Sequence, residues 1–139
     1  MERRHSKGFT LLELLVVLVI LGLLASIVGP RLLNQVSGSK SKTTRLQIEE
    51  FATALDLYYL DVGRFPNSSE GLEALVSAPD SARFWNGPYL KKKVIRPDAW
   101  GNEFIYESPG DHGEYDLYSL GADNREGGEG DAADIVSWQ

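Results

Sequence analysis

A single carboxylate interrupts an apolar segment near the start of the chain. Residues 9–29 are 21 in number, and Glu13 is the only charged residue among them. An ionised carboxylate within a membrane costs on the order of 2.5–3.5 kcal/mol on insertion scales, so it indicates a function and requires a positively charged partner. The alternative is that Glu13 lies near the membrane surface, where its side chain reaches water. The spacing alone does not decide between the two.

An α-amino group is one partner that the chain itself could supply to Glu13. No basic residue lies between Thr10 and Pro30, but cleavage just before Phe9 would create an amine close to Glu13 in sequence. A neighbouring copy of the chain, shifted along the membrane normal, could present that amine to Glu13. Such a pair would fix the stagger between subunits and favour assembly.

The segment that contains Glu13 has the length of a membrane span. A helix rises about 1.5 Å per residue, so residues 9–29 would cover roughly 31 Å. A basic flank of Arg3, Arg4 and Lys7 lies on the N-terminal side of this segment, which keeps residues 1–8 in the cytoplasm by the positive-inside rule. A secretory signal would need a shorter apolar region, about 7–15 residues, and an A-x-A-like site, whereas "LLAS" at 23–26 has Leu where a small residue is preferred. The sequence predicts a leader at 1–8 and a single transmembrane segment at 9–30.

The second candidate site is an acidic, glycine-rich stretch at 119–138, "SLGADNREGGEGDAADIVSW". Asp123, Asp131 and Asp134 supply the hard oxygen ligands that calcium requires, about six to eight in all. The glycines allow a tightly folded loop in which backbone carbonyls can converge. The stretch is not an EF-hand, because Arg125 stands at the third loop position. A solvated acidic turn is the other interpretation of this composition.

Catalysis has little support in the sequence. The two histidines are His5, in the predicted leader, and His112, in the turn-like "SPGDHGEY". The chain has no G-x-S-x-G, P-loop or H-E-x-x-H motif. It also has no cysteine, which excludes disulfides, thiol catalysis and Cys-based zinc sites. We therefore expect a protein that is not an enzyme.

The charge distribution argues against nucleic acid as a partner. The formal net charge is -6, and residues 98–139 hold eleven acidic residues against one basic residue, Arg125. Phosphate binding needs clustered Lys and Arg instead. The acidic half favours a cation or a basic partner.

The remaining patterns predict an α+β fold. Ile48, Phe51, Ala52, Leu55, Tyr58 and Tyr59 recur at helical spacing. We expect one helix from about Thr10 to Asp61, with an amphipathic periplasmic part at 31–61, and a globular α+β domain at 62–139. In that domain Asn67 and Glu70 form a capping-box pattern that predicts a short helix to about Val76.

Strand-like pieces at 89–91, at 103–107 and in "GEYDLYSLG" predict a small antiparallel sheet packed on the long helix. The aromatic residues of this domain are expected to form its core rather than a ligand platform.

The stretch "KGFTLLELLVVLVILGLLA" resembles the class III signal of type IV pilins and pseudopilins. The resemblance implies that a prepilin peptidase cuts after Gly8 and N-methylates Phe9. It also implies that Glu13 is the assembly residue, which pairs with the Phe9 amine of a neighbouring subunit.

Five further stretches, "YYLDVGRFP", "GLEALV", "GPYLKK", "PDAWGNEFIY" and "YDLYSLGAD", resemble the major pseudopilins of the bacterial type II secretion system. That family implies a pilin-like subunit anchored in the bacterial inner membrane, which forms a homopolymeric periplasmic filament and helps move folded exoproteins across the outer membrane. Minor pseudopilins, an inner-membrane assembly platform and the prepilin peptidase are the implied partners. The alternatives are the major subunit of a type IV pilus and a membrane-anchored monomeric calcium-binding module. The missing cysteines and the acidic loop count against the pilus.

The same resemblance implies calcium in the acidic loop. By the match, Asp123 and Asp134 flank the family's loop and are the first expected ligands. Asp131 and the backbone carbonyl of Leu120 follow. One family version has two adjacent acids before the final isoleucine, where this chain has Ala133 and Asp134, so Asp131 or water must supply the missing ligand.

Overall fold

A long helix and a small antiparallel sheet make up the regular structure of the chain. The computed structural model describes residues 8–139, and for residues 28–37 it describes the backbone alone. The elements are helix α1 (Leu11–Val62), a 3-10 helix (Leu72–Leu75), strand β1 (Ile105–Glu107), strand β2 (Asp116–Ser119), a second 3-10 helix (Gly130–Ala132) and strand β3 (Ile135–Val136). The chain divides into two units, one up to Val36 and one over Ser37–Gln139. The predicted α+β class and the long helix are confirmed.

In the first unit, helix α1 carries apolar side chains on every side. Phe9 is 89% exposed, and even the least exposed of the large apolar side chains described in this unit, Val16 and Val17, are 47% exposed. A helix that is apolar all round is typical of a segment that packs against other molecules. In the part of the chain that the structure describes, no helix is long and apolar enough to cross a membrane. The predicted leader lies outside the described residues apart from Gly8.

One face of helix α1 forms the base of the core of the second unit. Ile48, Phe51, Leu55 and Tyr58 are each at most 4% exposed, and they recur at the predicted three- and four-residue spacing. Burying one such side chain contributes about 1.5–3 kcal/mol to the free energy of unfolding. The prediction is wrong for Tyr59, which is 41% exposed and packs beside Phe65 at the rim, with ring centroids 4.8 Å apart. The rest of the core consists of Ala54, Leu72, Ala74, Leu75, Ala82, Leu90, Tyr106, Leu117 and Ile135.

The sheet has the order β1-β2-β3 and is antiparallel throughout. Tyr106 of β1 pairs with Leu117 of β2, and both side chains are buried in the core. Ser119, at the end of β2, pairs with Ile135 of β3. The acidic loop therefore starts at the end of the central strand, β2, and leads into β3, which pairs with β2 on the side opposite β1.

The predicted capping box is present, but it begins a turn and not an α-helix. The Asn67 side chain accepts the Glu70 N–H at 2.9 Å, and the Glu70 carboxylate accepts the Asn67 N–H at 2.9 Å. The next residue, Gly71, has φ 58°, which breaks the helical backbone. The predicted helix is consequently reduced to the 3-10 turn Leu72–Leu75.

The predicted strand at 89–91 is wrong. The Tyr89 N–H donates to the Leu75 carbonyl at 2.8 Å, so this segment pairs with the 3-10 turn. The Tyr89 hydroxyl donates to Asp61 at 2.9 Å, and its ring packs edge-on against Tyr58. Tertiary contacts with helix α1 and the 3-10 turn thus override a strand-like pattern in sequence.

Candidate functional site

The start of helix α1 holds Glu13 in a reciprocal capping box. Glu13 Oε2 accepts the Thr10 N–H at 2.8 Å and the Thr10 hydroxyl at 3.0 Å. In return, the Glu13 N–H donates to Thr10 Oγ1 at 3.2 Å. The pattern Thr-x-x-Glu ahead of an apolar run is the sequence signal for this motif, and sequence reasoning applied it at Asn67 but missed it at Thr10.

This arrangement gives Glu13 a role within its own chain. The first N–H groups of a helix have no partner in the helix, and their end carries a partial positive charge. Glu13 lies in that first turn, and both of its bonds from Thr10 use Oε2. Among the described residues Oε1 has no hydrogen-bond partner, so this oxygen can accept a donor from another molecule. Gly8 and Phe9, the predicted processing residues, are both exposed beside this site.

His112 has a structural position. Its Nδ1 lies 2.8 Å from Asp116 Oδ2, and its ring stacks on Trp138 with centroids 4.0 Å apart and planes 4° apart. Burial would raise the pKa of Asp116, but hydrogen bonds from the His112 side chain and from the N–H groups of His112 and Asp111 outweigh it and lower that pKa below its usual range. The arrangement ties the end of the chain to the turn before β2. Trp138, expected in the core, is 36% exposed.

The acidic loop between β2 and β3 is held by its own backbone. The Ala122 N–H donates to the Asp131 carbonyl at 2.8 Å, and the Gly127 N–H donates to Asp134 Oδ2 at 2.9 Å. Asp123 Oδ1 accepts the Arg125 N–H at 3.1 Å in a local turn. These bonds bring the two ends of the loop together and leave Asp123 exposed at its outer part.

Two glycines allow successive carbonyls to crowd together at the base of the loop. Gly121 has φ 68°, and a Cβ atom there would lie 2.7 Å from the Asp131 carbonyl oxygen and 2.8 Å from that of Ala133. Gly128 has φ 89°, and a Cβ atom there would lie 2.5 Å from the Ala132 carbonyl oxygen. Any residue other than glycine would clash at both positions. The carbonyls of Asp131 and Ala133 thus face Gly121, and the carbonyl of Ala132 faces Gly128.

Asp134 supplies the observation that bears most directly on calcium. Its Oδ1 atom is buried and has no hydrogen-bond partner among the described residues, whereas Oδ2 accepts the Gly127 N–H. A buried carboxylate oxygen without a partner is costly, and a cation beside it would remove that cost. Calcium takes both carboxylate and carbonyl oxygens, which is the donor set at this end of the loop.

The predicted carboxylates do not converge as a cluster. Within residues 8–139, no group of three His, Cys, Asp or Glu side chains lies in a position to hold a metal ion. The carbonyls of residues 131–133 lie beside Gly121 and Gly128, and Asp134 accepts the Gly127 N–H, whereas the Asp123 carboxylate bonds to its own turn. The Asp134 carboxylate and the backbone carbonyls are nevertheless oxygen donors of the kinds that calcium takes.

Comparison with known proteins assigns most of the chain to a family. The model of type II secretion system (T2SS), protein G, matches residues 31–138. The model of the prokaryotic N-terminal methylation motif matches residues 3–29. The two matches meet in helix α1 and agree with the resemblance of the sequence to pilin signals and major pseudopilins.

Individual relatives agree with the family models. The type II secretion system core protein G of Pseudomonas aeruginosa is 45% identical over an alignment of 142 positions, which covers 99% of this chain and 99% of that protein. The protein of the same description from Vibrio cholerae is 45% identical over 140 residues, which cover 99% and 94%. The crystal structure of the major pseudopilin from the type 2 secretion system of enterohaemorrhagic Escherichia coli matches with a TM-score of 0.64 at 27% identity, over 78% of this chain and 95% of that one.

These matches bear out the pilin-like fold and the interpretation of the chain as a structural subunit and not an enzyme. A type IV pilus subunit and a monomeric module gain no support from them. The chain belongs to the protein G family of the type II secretion system, and it is a subunit of the pseudopilus.

Proposed function

We propose that this chain is the repeating subunit of a periplasmic homopolymeric filament that helps move folded proteins across the outer membrane. The observation that carries the proposal is the exposure of the first unit. The large apolar side chains that the structure describes in this unit, up to Ile27, are 47–89% exposed, so the described chain gives them no partner. A chain of the protein G family must cover this surface with lipid before assembly and with other subunits afterwards.

The proposal includes a membrane-anchored precursor. Residues 9–30 hold it in the inner membrane in a single pass, with residues 1–8 in the cytoplasm and the second unit in the periplasm. The prepilin peptidase cuts after Gly8 and methylates the amine of Phe9, and the match of residues 3–29 to the N-terminal methylation motif supports this step. The inner-membrane assembly platform and the minor pseudopilins are the other proposed partners.

Assembly then depends on a bond between two copies. The new amine of Phe9 in one subunit pairs with Glu13 of its neighbour. Since Thr10 engages Oε2 alone, the amine can reach Oε1 while the capping box stays formed. The pair sets the axial stagger of the subunits, and the apolar side chains of the first unit pack around it.

The test is the substitution Glu13→Gln. Glutamine keeps an oxygen that can accept from Thr10 and removes only the negative charge. We expect a normal amount of processed subunit in the membrane and no filaments by electron microscopy, because a neutral amide pairs weakly with an ammonium group.

Glu49→Gln is the matched control, since Glu49 is an exposed carboxylate on the same helix. This control should assemble like the wild type. Filaments of normal length and number from Glu13→Gln would refute the pairing.

We also propose that the loop after β2 binds one calcium ion as a structural cofactor. Asp134 and the carbonyl groups at the base of the loop would hold the ion, with Asp123, Asp131 and the Leu120 carbonyl as the further ligands that the resemblance implies. The ion would supply positive charge next to the buried Oδ1 of Asp134. It would thereby join the two ends of the acidic loop.

Calcium should raise the melting temperature of the processed full-length protein in detergent relative to a chelator. A ligand at a hundred times its Kd adds about 2.7 kcal/mol to the free energy of unfolding. Asp134→Asn should abolish the shift, because it removes the charge beside the ion. Glu129→Gln, which alters an exposed acid of the same loop, should retain it. An unchanged melting temperature in the wild type would refute the calcium site.

A further inference from the structure

We infer that Asp98 and Ser119 are positioning residues for the proposed calcium site in the acidic loop (the calcium loop), because together they fix the direction of the Leu120 carbonyl. This inference rests on the proposed calcium site. Neither residue is itself an expected ligand, and they lie 21 positions apart in the chain.

Asp98 is a buried carboxylate whose two oxygens are both engaged. It is 5% exposed and lies in the turn at 97–102. Its Oδ1 accepts the N–H groups of Trp100 and Asn102, each at 2.9 Å, and its Oδ2 accepts the Ser119 hydroxyl at 2.6 Å. A buried carboxylate is stable only with such donors, so Asp98 acts as an acceptor for the protein itself.

Ser119 connects Asp98 to the backbone of the loop by hydrogen bonds. Its side chain is fully buried at the end of β2, and its Oγ accepts the Gly121 N–H at 3.1 Å while donating to Asp98. The peptide between Leu120 and Gly121 is planar, so its carbonyl points away from its N–H. Fixing the Gly121 N–H on Ser119 therefore fixes the Leu120 carbonyl, the expected backbone ligand.

The turn at 97–102 also holds the carbonyl group of Gly121. The Asn102 side-chain amide donates to the Gly121 carbonyl at 2.8 Å, and the Asn102 carbonyl accepts the Asp98 N–H at 2.8 Å. Gly121 lies against the carbonyls of Asp131 and Ala133. A shift of Gly121 would therefore displace the far side of the loop as well.

Helix α1 holds the turn at 97–102 in place by two hydrogen bonds. Gln47 donates to the Pro97 carbonyl at 2.9 Å, and Thr44 Oγ1 accepts the Ala99 N–H at 3.2 Å. Both residues belong to the second unit, and Thr44 is fully buried. The turn at 97–102 is thus fastened to the helix on one side and to the start of the calcium loop on the other.

The test compares Ser119→Ala with Thr44→Val in the processed full-length protein in detergent. Each variant removes one buried hydroxyl that accepts a backbone N–H, but only Ser119→Ala breaks the connection from Asp98 to Gly121. We expect Ser119→Ala to weaken calcium binding roughly tenfold or more in a titration, as losses of groups that orient metal ligands do. Thr44→Val should lower the melting temperature in chelator and leave the calcium Kd within about twofold, because Gln47 still holds the turn at 97–102 on the helix.

Ser119→Thr restores a hydroxyl and should recover most of the calcium affinity. Wild-type affinity in Ser119→Ala, or an equal loss in Thr44→Val, would overturn the inference and leave the calcium site standing.

Amide exchange at Gly121, measured without calcium, tests the positioning independently of the ion. It should be faster in Ser119→Ala than in Thr44→Val, and equal rates would overturn the inference. A wild type that binds no calcium at all would instead refute the calcium site and the positioning role of Ser119 together.

Discussion

At the scale of single residues, the Glu70 carboxylate accepts hydrogen bonds from two side chains and one backbone N–H. Arg64 donates to it with both guanidinium nitrogens, at 2.7 and 2.8 Å, and Ser81 and the Asn67 N–H donate as well. These hydrogen bonds, that from Arg64 foremost, outweigh partial burial and lower the pKa of Glu70 to about 2. The ion pair closes the segment between helix α1 and the 3-10 turn.

The lowered pKa makes the stability of the second unit depend on pH. The usual value is 4.5, so the ionised pair contributes fully above that pH and its contribution is lost as pH falls toward about 2. We expect Glu70→Gln to lower the free energy of unfolding by about 1–2 kcal/mol at pH 7, a figure reduced for the partial exposure of Arg64. The deficit should shrink between pH 4.5 and 2, because in this range Glu70 takes up a proton in the unfolded wild type while the folded protein keeps it ionised, which favours unfolding of the wild type.

Denaturant unfolding at a series of pH values measures this dependence. Glu73→Gln is the control, since Glu73 is an exposed carboxylate three positions away. It should change little at any pH. A deficit in Glu70→Gln that stays constant down to pH 2.5 would show that the ion pair is not its cause.

At the scale of elements, long periodic patterns predicted the structure well. The apolar spacing from Ile48 to Tyr58 and the preceding apolar run predicted a helix from about Thr10 to Asp61, and helix α1 is Leu11–Val62. A helix whose buried residues recur over many turns can be recognised from the local sequence alone. The strand β3 (Ile135–Val136) has no such pattern, because two residues are too few for an alternation, and it was missed.

Some features of the two candidate regions had a local signal in the sequence, and others had none. Glycines and aspartates in one short stretch indicate an oxygen-rich loop, and the family resemblance then selected Asp134 as an expected ligand. The capping of helix α1 by Glu13 had a local signal in Thr10, which was overlooked. The bond between Asp98 and Ser119 has no local signal at all, because only the folded chain brings together two segments that are distant in sequence.

At the scale of the whole molecule, the mass of the protein from its native membrane tests the proposed maturation. We expect a chain that begins at Phe9, carries one methyl group on its amine and retains the apolar segment. Gly8→Ala should shift the population toward the uncut chain, because the proposed cleavage follows that glycine. Intact mass spectrometry of the purified protein distinguishes these species.

A wild-type chain that begins at Met1, or one cut after Ala25, would contradict the proposed maturation. The first form would leave Glu13 without the Phe9 amine on which the assembly step depends, and the second would lack Glu13 itself.

The carbonyls that lie close to Gly121 and Gly128 bear on how a small fold without cysteine could be cross-linked. By the proposal above, a cation bound there and at Asp134 would link the two ends of the chain between β2 and β3, and it would stabilise the folded state according to its free concentration. Unlike a disulfide, such a fastening forms without oxidation and ignores reducing agents. A chelator alone would undo it, so the docking of the C-terminal strand in each subunit would then depend on the ion that the surrounding solution supplies.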